Sequence, residues 1–148
     1  QYQLDIIQLH GNESVIFCKN VKKFSVEVIK VFSIDSTFNF SVVKEYVLAV
    51  DYFLFDTKGK LPGGNGITFD WNVLENYHFN VPYFLSGGIG TTEIDGLKLF
   101  LKTSAEKKCY GIDVNSRFEK KPGKKNKIKL EKFKKLLELA GTENKIKI

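Results

Sequence analysis

Apolar residues along the chain fall into five short runs separated by stretches with helical spacing. The runs cover residues 4–9 (LDIIQL), 28–34 (VIKVFSI), 52–55 (YFLF), 82–85 (PYFL) and 110–114 (YGIDV). Each is rich in β-branched or aromatic side chains and too brief for a helix, so each reads as a strand. Residues 13–23, 38–48, 70–77 and 91–104 have helical character, and a final amphipathic helix is predicted over 127–140 with Gly141 as its C-cap. Strand and helix therefore alternate five times, which predicts a parallel α/β sheet with right-handed crossovers. The near-continuous apolar runs agree, because a parallel sheet covered on both faces has no polar side to show. Periodicity does not say whether the sheet is open or closed. No linker divides the chain, so residues 1–148 read as a single domain, with 122–126 as the loop feeding the last helix.

Composition narrows the class. A chain of 148 residues and 16.9 kDa with 43% hydrophobic and 27% charged residues is ordinary for one globular domain, and excludes disorder and fibrous repeats. No apolar run is long enough to span a bilayer and the first residues do not resemble a signal peptide, so a soluble, cytoplasmic protein with no membrane partner is expected. Cys18 and Cys109 are too few for a disulfide framework and lack metal-ligand spacing. The net charge of +6 is concentrated in residues 120–135 (KKPGKKNKIKLEKFKK). Such a run attracts polyanions. Yet Ile128, Leu130, Phe133, Leu136, Leu137 and Ala140 form an apolar stripe between the lysines, and aromatic residues do not interleave with the basic ones as they would in a stacking platform for single strands, Phe133 being the single one in the run. A solvated helix face is the better reading, and no nucleic-acid partner is expected.

In parallel α/β folds the chemistry gathers at the carboxyl ends of the strands. The first run ends in Gln8-Leu9-His10-Gly11, the third in Asp56-Thr57, the fourth in Ser86-Gly87-Gly88 and the fifth in Asp113-Val114-Asn115-Ser116. Asp56 stands at the lip of an apolar core, where desolvation raises a carboxyl pKa and favours proton donation; the alternative is a turn cap. The loop at 63–66 (GGNG), containing Gly64, is a ligand-contacting loop or a plain turn. Gly87, Gly88, Asn115 and Ser116 end the last two runs with glycines and hydroxyl or amide donors, the ingredients of an anion site completed by a short helix start. His10 orients a ligand or is structural. His78 and Cys109 precede strands and Cys18 lies on a peripheral helix, so none of the three is placed in the site. No zinc, P-loop or dinucleotide signature is present.

Taken in order, LDIIQLHGNES (4–14), VIKVF (28–32), FLFDT (53–57), GGNG (63–66), TFDW (68–71), FLSGGI (84–89) and GIDVNS (111–116), with Glu119 and Pro122-Gly123 behind, resemble the phosphoribosylanthranilate isomerases of tryptophan biosynthesis. The resemblance implies a (βα)8 TIM barrel and an Amadori rearrangement of N-(5'-phosphoribosyl)anthranilate to the carboxyphenylamino-deoxyribulose phosphate, with neither metal nor organic cofactor. It implies that Asp56 is the general acid that protonates the furanose oxygen, that Gly87, Gly88 and Ser116 hold the substrate phosphate, and that Gly64 and Asp113 line the site.

The sequence departs from the family where Asn115 replaces a serine and Arg117 a glycine, and nothing matches the Lys-Ile-Cys-Gly-like first strand that carries the Cys general base. The five runs correspond to the fourth through eighth strands. No Met occurs anywhere in the chain. Two open sheet edges are an aggregation hazard, so an additional N-terminal barrel segment, covalent or separate, is the expected partner. Two other readings are a non-catalytic half-barrel that binds a phosphorylated ligand or partner chain, and a polyanion-binding module built on residues 120–135.

Overall fold

A computed structural model describes residues 3–57 and 70–139. Five parallel strands form one sheet in the order β1 (Ile6–Leu9), β2 (Glu27–Ile34), β3 (Tyr52–Thr57), β4 (Tyr83–Leu85) and β5 (Cys109–Ile112). Each strand lies beside its successor. A doubly wound sheet reverses its strand order to put helices on both faces, and this one does not reverse.

The consequence is a lopsided burial. Phe53 and Phe55 of β3, Tyr83 and Leu85 of β4 and Ile112 of β5 pack with Cys18, Phe40, Leu74, Leu97 and Phe133 of the connecting segments into one large core. The opposite face carries only a small apolar cluster, Ile29, Val31 and Leu54, flanked by Tyr52 and Phe84. Rings dominate the large core: Phe55 lies 5.3 Å from Phe40, 5.3 Å from Tyr77 and 5.2 Å from Tyr83, all at steep angles favoured by the aromatic quadrupole. The buried Tyr83 hydroxyl donates to the Ala105 carbonyl at 2.9 Å, so its polar end is satisfied.

The helical segments are shorter and tighter than their spacing predicts. Helix α1 (Val15–Lys22) starts at Ser14, whose hydroxyl accepts from the Phe17 N–H at 3.2 Å, and buries Cys18. The predicted helices at 38–48 and 70–77 are instead 3-10 turns, Phe40–Tyr46 and Trp71–Asn76. Asn39 and Asp70 cap them through the N–H two residues on, and the β-branched and aromatic residues within give up little by leaving α geometry. The predicted 91–104 helix divides into a turn, Thr91–Glu93, and α2 (Ile94–Phe100).

Two further expectations are corrected. The stretch 122–126 is not a plain loop but the turn of a small hairpin, β6 (Glu119–Lys121) with β7 (Lys124–Lys125), closed by Gly123 at φ +76°. It leads into α3 (Lys127–Glu138), capped by Asn126 accepting from the Lys129 N–H. In α3 Phe133 and Leu137 are buried, but Ile128 is 77% exposed and drops out of the predicted stripe. Most lysines of this region face solvent, as the bland reading of the charge run expects. Gly141 and Ala140 lie outside the described residues, as does the whole 63–66 loop with Gly64. No helix among the described residues is long and apolar enough to cross a membrane.

Candidate active site

Register assembles the site. Parallel pairing sets Phe55 opposite Leu85, and the Ser86 N–H donates to the Phe55 carbonyl at 2.9 Å, carrying β4 one residue beyond its last pair. The Asp113 N–H then donates to the Leu85 carbonyl at 2.8 Å. Asp56, Ser86 and Asp113 thus come side by side from three neighbouring strand ends. The ladder alternates faces. Leu54 and Asp56 consequently share the thinly covered face, while Phe53 and Phe55 enter the large core.

These residues line a pocket of about 120 Å³ together with Gln8, His10, Gly87, Gly88, Ile89, Asn115, Ser116 and Arg117. Typical small-molecule sites run to roughly 300 Å³ or more, so the pocket holds part of such a ligand.

Asp56 is half-buried, and that burial is the first cause of its raised pKa; the neighbouring Asp113 charge adds to the rise. The His10 charge, the Thr57 N–H and the Ser86 hydroxyl pull the other way without cancelling it. Ser86 is nearly inaccessible, and its hydroxyl donates to Asp113 Oδ2 at 2.8 Å. Ser86 thus stands between two carboxylates, with its hydroxyl proton given to Asp113. The arrangement can hold a proton on Asp56 at a pH where an exposed aspartate has lost it, which is what a general acid requires.

Backbone geometry at the end of β4 has its own cause. Gly87 adopts φ +94° and Gly88 φ +64°, regions that side chains rarely enter. A Cβ on Gly87 would lie 2.2 Å from Thr57 Oγ1 and 2.4 Å from the Thr57 nitrogen. Glycine lets the β4 end lie directly against the β3 end that carries Asp56. Across the pocket, Asn115 and Ser116 open the turn Ser116–Phe118. Lys125 Nζ donates to Asn115 Oδ1, which leaves the Asn115 amide N–H groups as its donors. Of the helix starts expected behind these loops, Ser116–Phe118 is a three-residue turn, too short to add a helix dipole, whereas Thr91–Glu93 runs directly into α2.

Of the predicted site residues, His10, Asp56, Gly87, Gly88, Asp113, Asn115 and Ser116 meet in one pocket, and Gly64 lies outside the described residues. Cys109 is within β5 rather than before it, buried, and its thiol is pushed up to about 12 chiefly by desolvation. Sequence reasoning did not place Gln8, Leu54 or Ile89 in the lining. The signal for two of them was available: Gln8 precedes His10 by two, and Leu54 precedes Asp56 by two, the strand period. Among the described residues no group of three or more His, Cys, Asp or Glu side chains is arranged to hold a metal ion.

Comparison with known proteins agrees with this geometry. Residues 1–136 match the family described as PRAI, N-(5'phosphoribosyl)anthranilate (PRA) isomerase. The N-(5'-phosphoribosyl)anthranilate isomerase of Parabacteroides distasonis is 42% identical over 132 residues, 89% of this chain and 58% of that protein. The chain therefore spans well under two thirds of the length of such relatives. Among solved structures, phosphoribosyl anthranilate isomerase from Thermus thermophilus superposes with a TM-score of 0.71 at 24% identity, over 92% of this chain and 62% of the other. The Thermotoga maritima enzyme gives 0.69 at 28% identity, over 91% and 62%. On the strength of the family match along nearly its whole length, this chain belongs to the N-(5'-phosphoribosyl)anthranilate isomerase family.

Proposed function

We propose that the chain supplies the acid half of an isomerase site that carries N-(5'-phosphoribosyl)anthranilate through an Amadori rearrangement to 1-(2-carboxyphenylamino)-1-deoxyribulose 5-phosphate, a step of tryptophan biosynthesis. The observation that carries the reading is Asp56: a half-buried carboxyl with a raised pKa, at a strand end, facing a polar pocket. In the proposed reaction Asp56 gives its proton to the furanose ring oxygen, the ring opens to a Schiff base, and loss of the C2' proton to a base yields an enolamine that relaxes to the ketone. Burial of Asp56, with the Asp113 charge beside it, favours the proton on Asp56 before the step and outweighs the Ser86 hydroxyl, which favours its loss.

The phosphate is assigned to Gly87, Gly88, Asn115 and Ser116. Their clustering across the ends of β4 and β5 supports this, as do the positive φ values that bring bare backbone to the pocket wall. Arg117 lines the same pocket and adds a positive charge. His10 and Asp113 complete the lining on the sugar side.

The five strands are read as the fourth to eighth of a (βα)8 barrel. A singly wound sheet supports closure, since curling its thinly covered face on itself would enclose the partly buried Tyr52 and Phe84 that flank Ile29, Val31 and Leu54. The base then comes from an N-terminal barrel segment, covalent or separate, that pairs with the outer edges of β1 and β5.

The test is an isomerase assay following the loss of phosphoribosylanthranilate fluorescence, with the N-terminal segment of a relative supplied in trans, and Asp56→Asn alongside. Loss of a general acid costs roughly 10²–10⁴-fold in rate, and a fall of that size with retained binding of the phosphorylated product is expected. Turnover that is indifferent to Asp56→Asn overturns the assignment. Product binding without any turnover overturns the enzyme in favour of a half-barrel that binds phosphorylated ligands.

A further inference from the structure

Lys30 is 3% exposed, an unusual fate for a lysine, and it lies on the same face of the sheet as Phe53 rather than in the Asp56 pocket. Its ammonium is fully engaged. Nζ donates to the Gly11 carbonyl at 2.7 Å and to the Val31 carbonyl at 3.0 Å, and stands 3.1 Å from Glu13 Oε2 and 5.2 Å from the centre of the Phe32 ring. Glu13 in turn folds back so that both its carboxylate oxygens accept from the Gly11 N–H at 3.0 Å. Glycine at 11 is what admits this, because a Cβ there would lie 2.9 Å from Glu13 Oε1. The Tyr46 hydroxyl closes the ring of contacts by donating to the Glu13 carbonyl at 3.0 Å.

The two peptide units that follow His10 are therefore both pinned. The N–H of the first is held by the Glu13 carboxylate, and the C=O of the second by Lys30. His10 itself belongs to two cavities at once, the Asp56 pocket and a neighbouring one of about 380 Å³ lined by Gly11, Glu13, Lys30, Phe32 and Tyr46. It is the hinge between the clasp and the site. Without the clasp the glycine after β1 would leave His10 on a free turn, since neither residue is buried.

We propose that Lys30 is a positioning residue for this site: paired with Glu13, it fixes the turn after β1 so that His10 is held against the Asp56 pocket. A buried ion pair is a weak device for stability alone, because the desolvation of both groups offsets their attraction, and a specific geometry is the better-founded return. The inference rests on the isomerase reading for its relevance to turnover, while its geometry stands apart from it. Glu13 agrees with the arrangement: burial would raise its pKa, but the N–H groups of Glu13 and Gly11 together with Lys30 outweigh that and hold it below the usual carboxylate range.

The readout is the titration of the Asp56 carboxyl carbon by NMR on the full chain, because the His10 charge lowers it while Asp113 raises it and Ser86 lowers it from other strands. In Lys30→Met, in Glu13→Gln and in His10→Ala the Asp56 midpoint is expected to move up, furthest in His10→Ala, which removes the charge itself. The double variant Lys30→Met/His10→Ala should move it no further than His10→Ala alone, since coupled residues are non-additive. Circular dichroism establishes folding, and Glu13→Gln, which keeps the side-chain shape, carries the test if Lys30→Met does not fold. An unmoved Asp56 midpoint in a folded clasp variant, or additive shifts in the double variant, overturns the proposal. Failure of the isomerase reading shows separately, as turnover indifferent to Asp56→Asn while the clasp shifts persist.

Discussion

Replacing Gly87 by alanine separates two effects that usually arrive together. The first is conformational: at φ +94° a residue with a Cβ costs about 1–2 kcal/mol. The second is steric, and here the collision is with backbone. A Cβ 2.4 Å from the Thr57 nitrogen must retreat by about 1 Å to reach ordinary contact, and the Thr57 side chain at 2.2 Å cannot rotate that nitrogen out of the way. Overpacking of this kind typically adds about 1–3 kcal/mol, so the total for Gly87→Ala is about 2–5 kcal/mol. The internal control is Gly123, at φ +76° with nothing within 4 Å of its ideal Cβ. Gly123→Ala carries the conformational cost alone, about 1–2 kcal/mol. Urea unfolding at unchanged m-value reads both. Because Thr57 follows Asp56 directly, the displacement also moves the carboxyl, and a misplacement near 1 Å can cost about 10²-fold in rate. The isomerase assay should therefore fall in Gly87→Ala and hold in Gly123→Ala. Equal destabilisation by the two substitutions would refute the close approach of the β3 and β4 ends.

Two further expectations follow from the Asp56 pKa. Its folded value lies above the unfolded one, so its protonated form is the one the fold favours: the contribution is favourable below about pH 4, and is lost as pH rises through the folded pKa. Asp56→Asn, which cannot ionise, should then unfold at higher urea than the unaltered chain at pH 7, with the difference closing in acid; a lower midpoint at pH 7 would contradict the burial cause. Ser86→Ala removes a hydroxyl whose hydrogen bond lowers Asp56, so the Asp56 midpoint followed by NMR should rise further; a fall would place the Ser86 proton wholly with Asp113.

Strands were legible because apolar residues occupy most of both faces and leave nearly unbroken runs, and every predicted strand is present to within two residues at each end. The connections were less so. Phe40–Tyr46 and Trp71–Asn76 have the apolar spacing of helices, but Asn39 and Asp70 accept from the second N–H and tighten the chain into i→i+3 turns, a choice of side-chain hydrogen bonding that hydrophobic spacing does not encode. Ile128 keeps the apolar period of α3 yet is exposed, because period alone does not say which residues find a covering neighbour. Among site residues, those that end a strand were visible as polar punctuation after apolar runs. Gln8 and Leu54 were hidden inside runs, where only the strand alternation marks which face they serve.

Lys30 shows where such reading stops. In sequence it is the one charge within the β2 run VIKVFSI, and alternation puts it on the helix-covered side, where an isolated ammonium is prohibitively unfavourable. That conflict is itself information, because a fold tolerates it only with every donor matched. The matching acceptors are the Gly11 carbonyl, the Val31 carbonyl and Glu13, and two of these three belong to the turn that follows β1. The same turn delivers His10 to the pocket. A local violation of hydrophobic pattern in one strand thus locates, at the end of its neighbour, the backbone segment whose placement the site depends on.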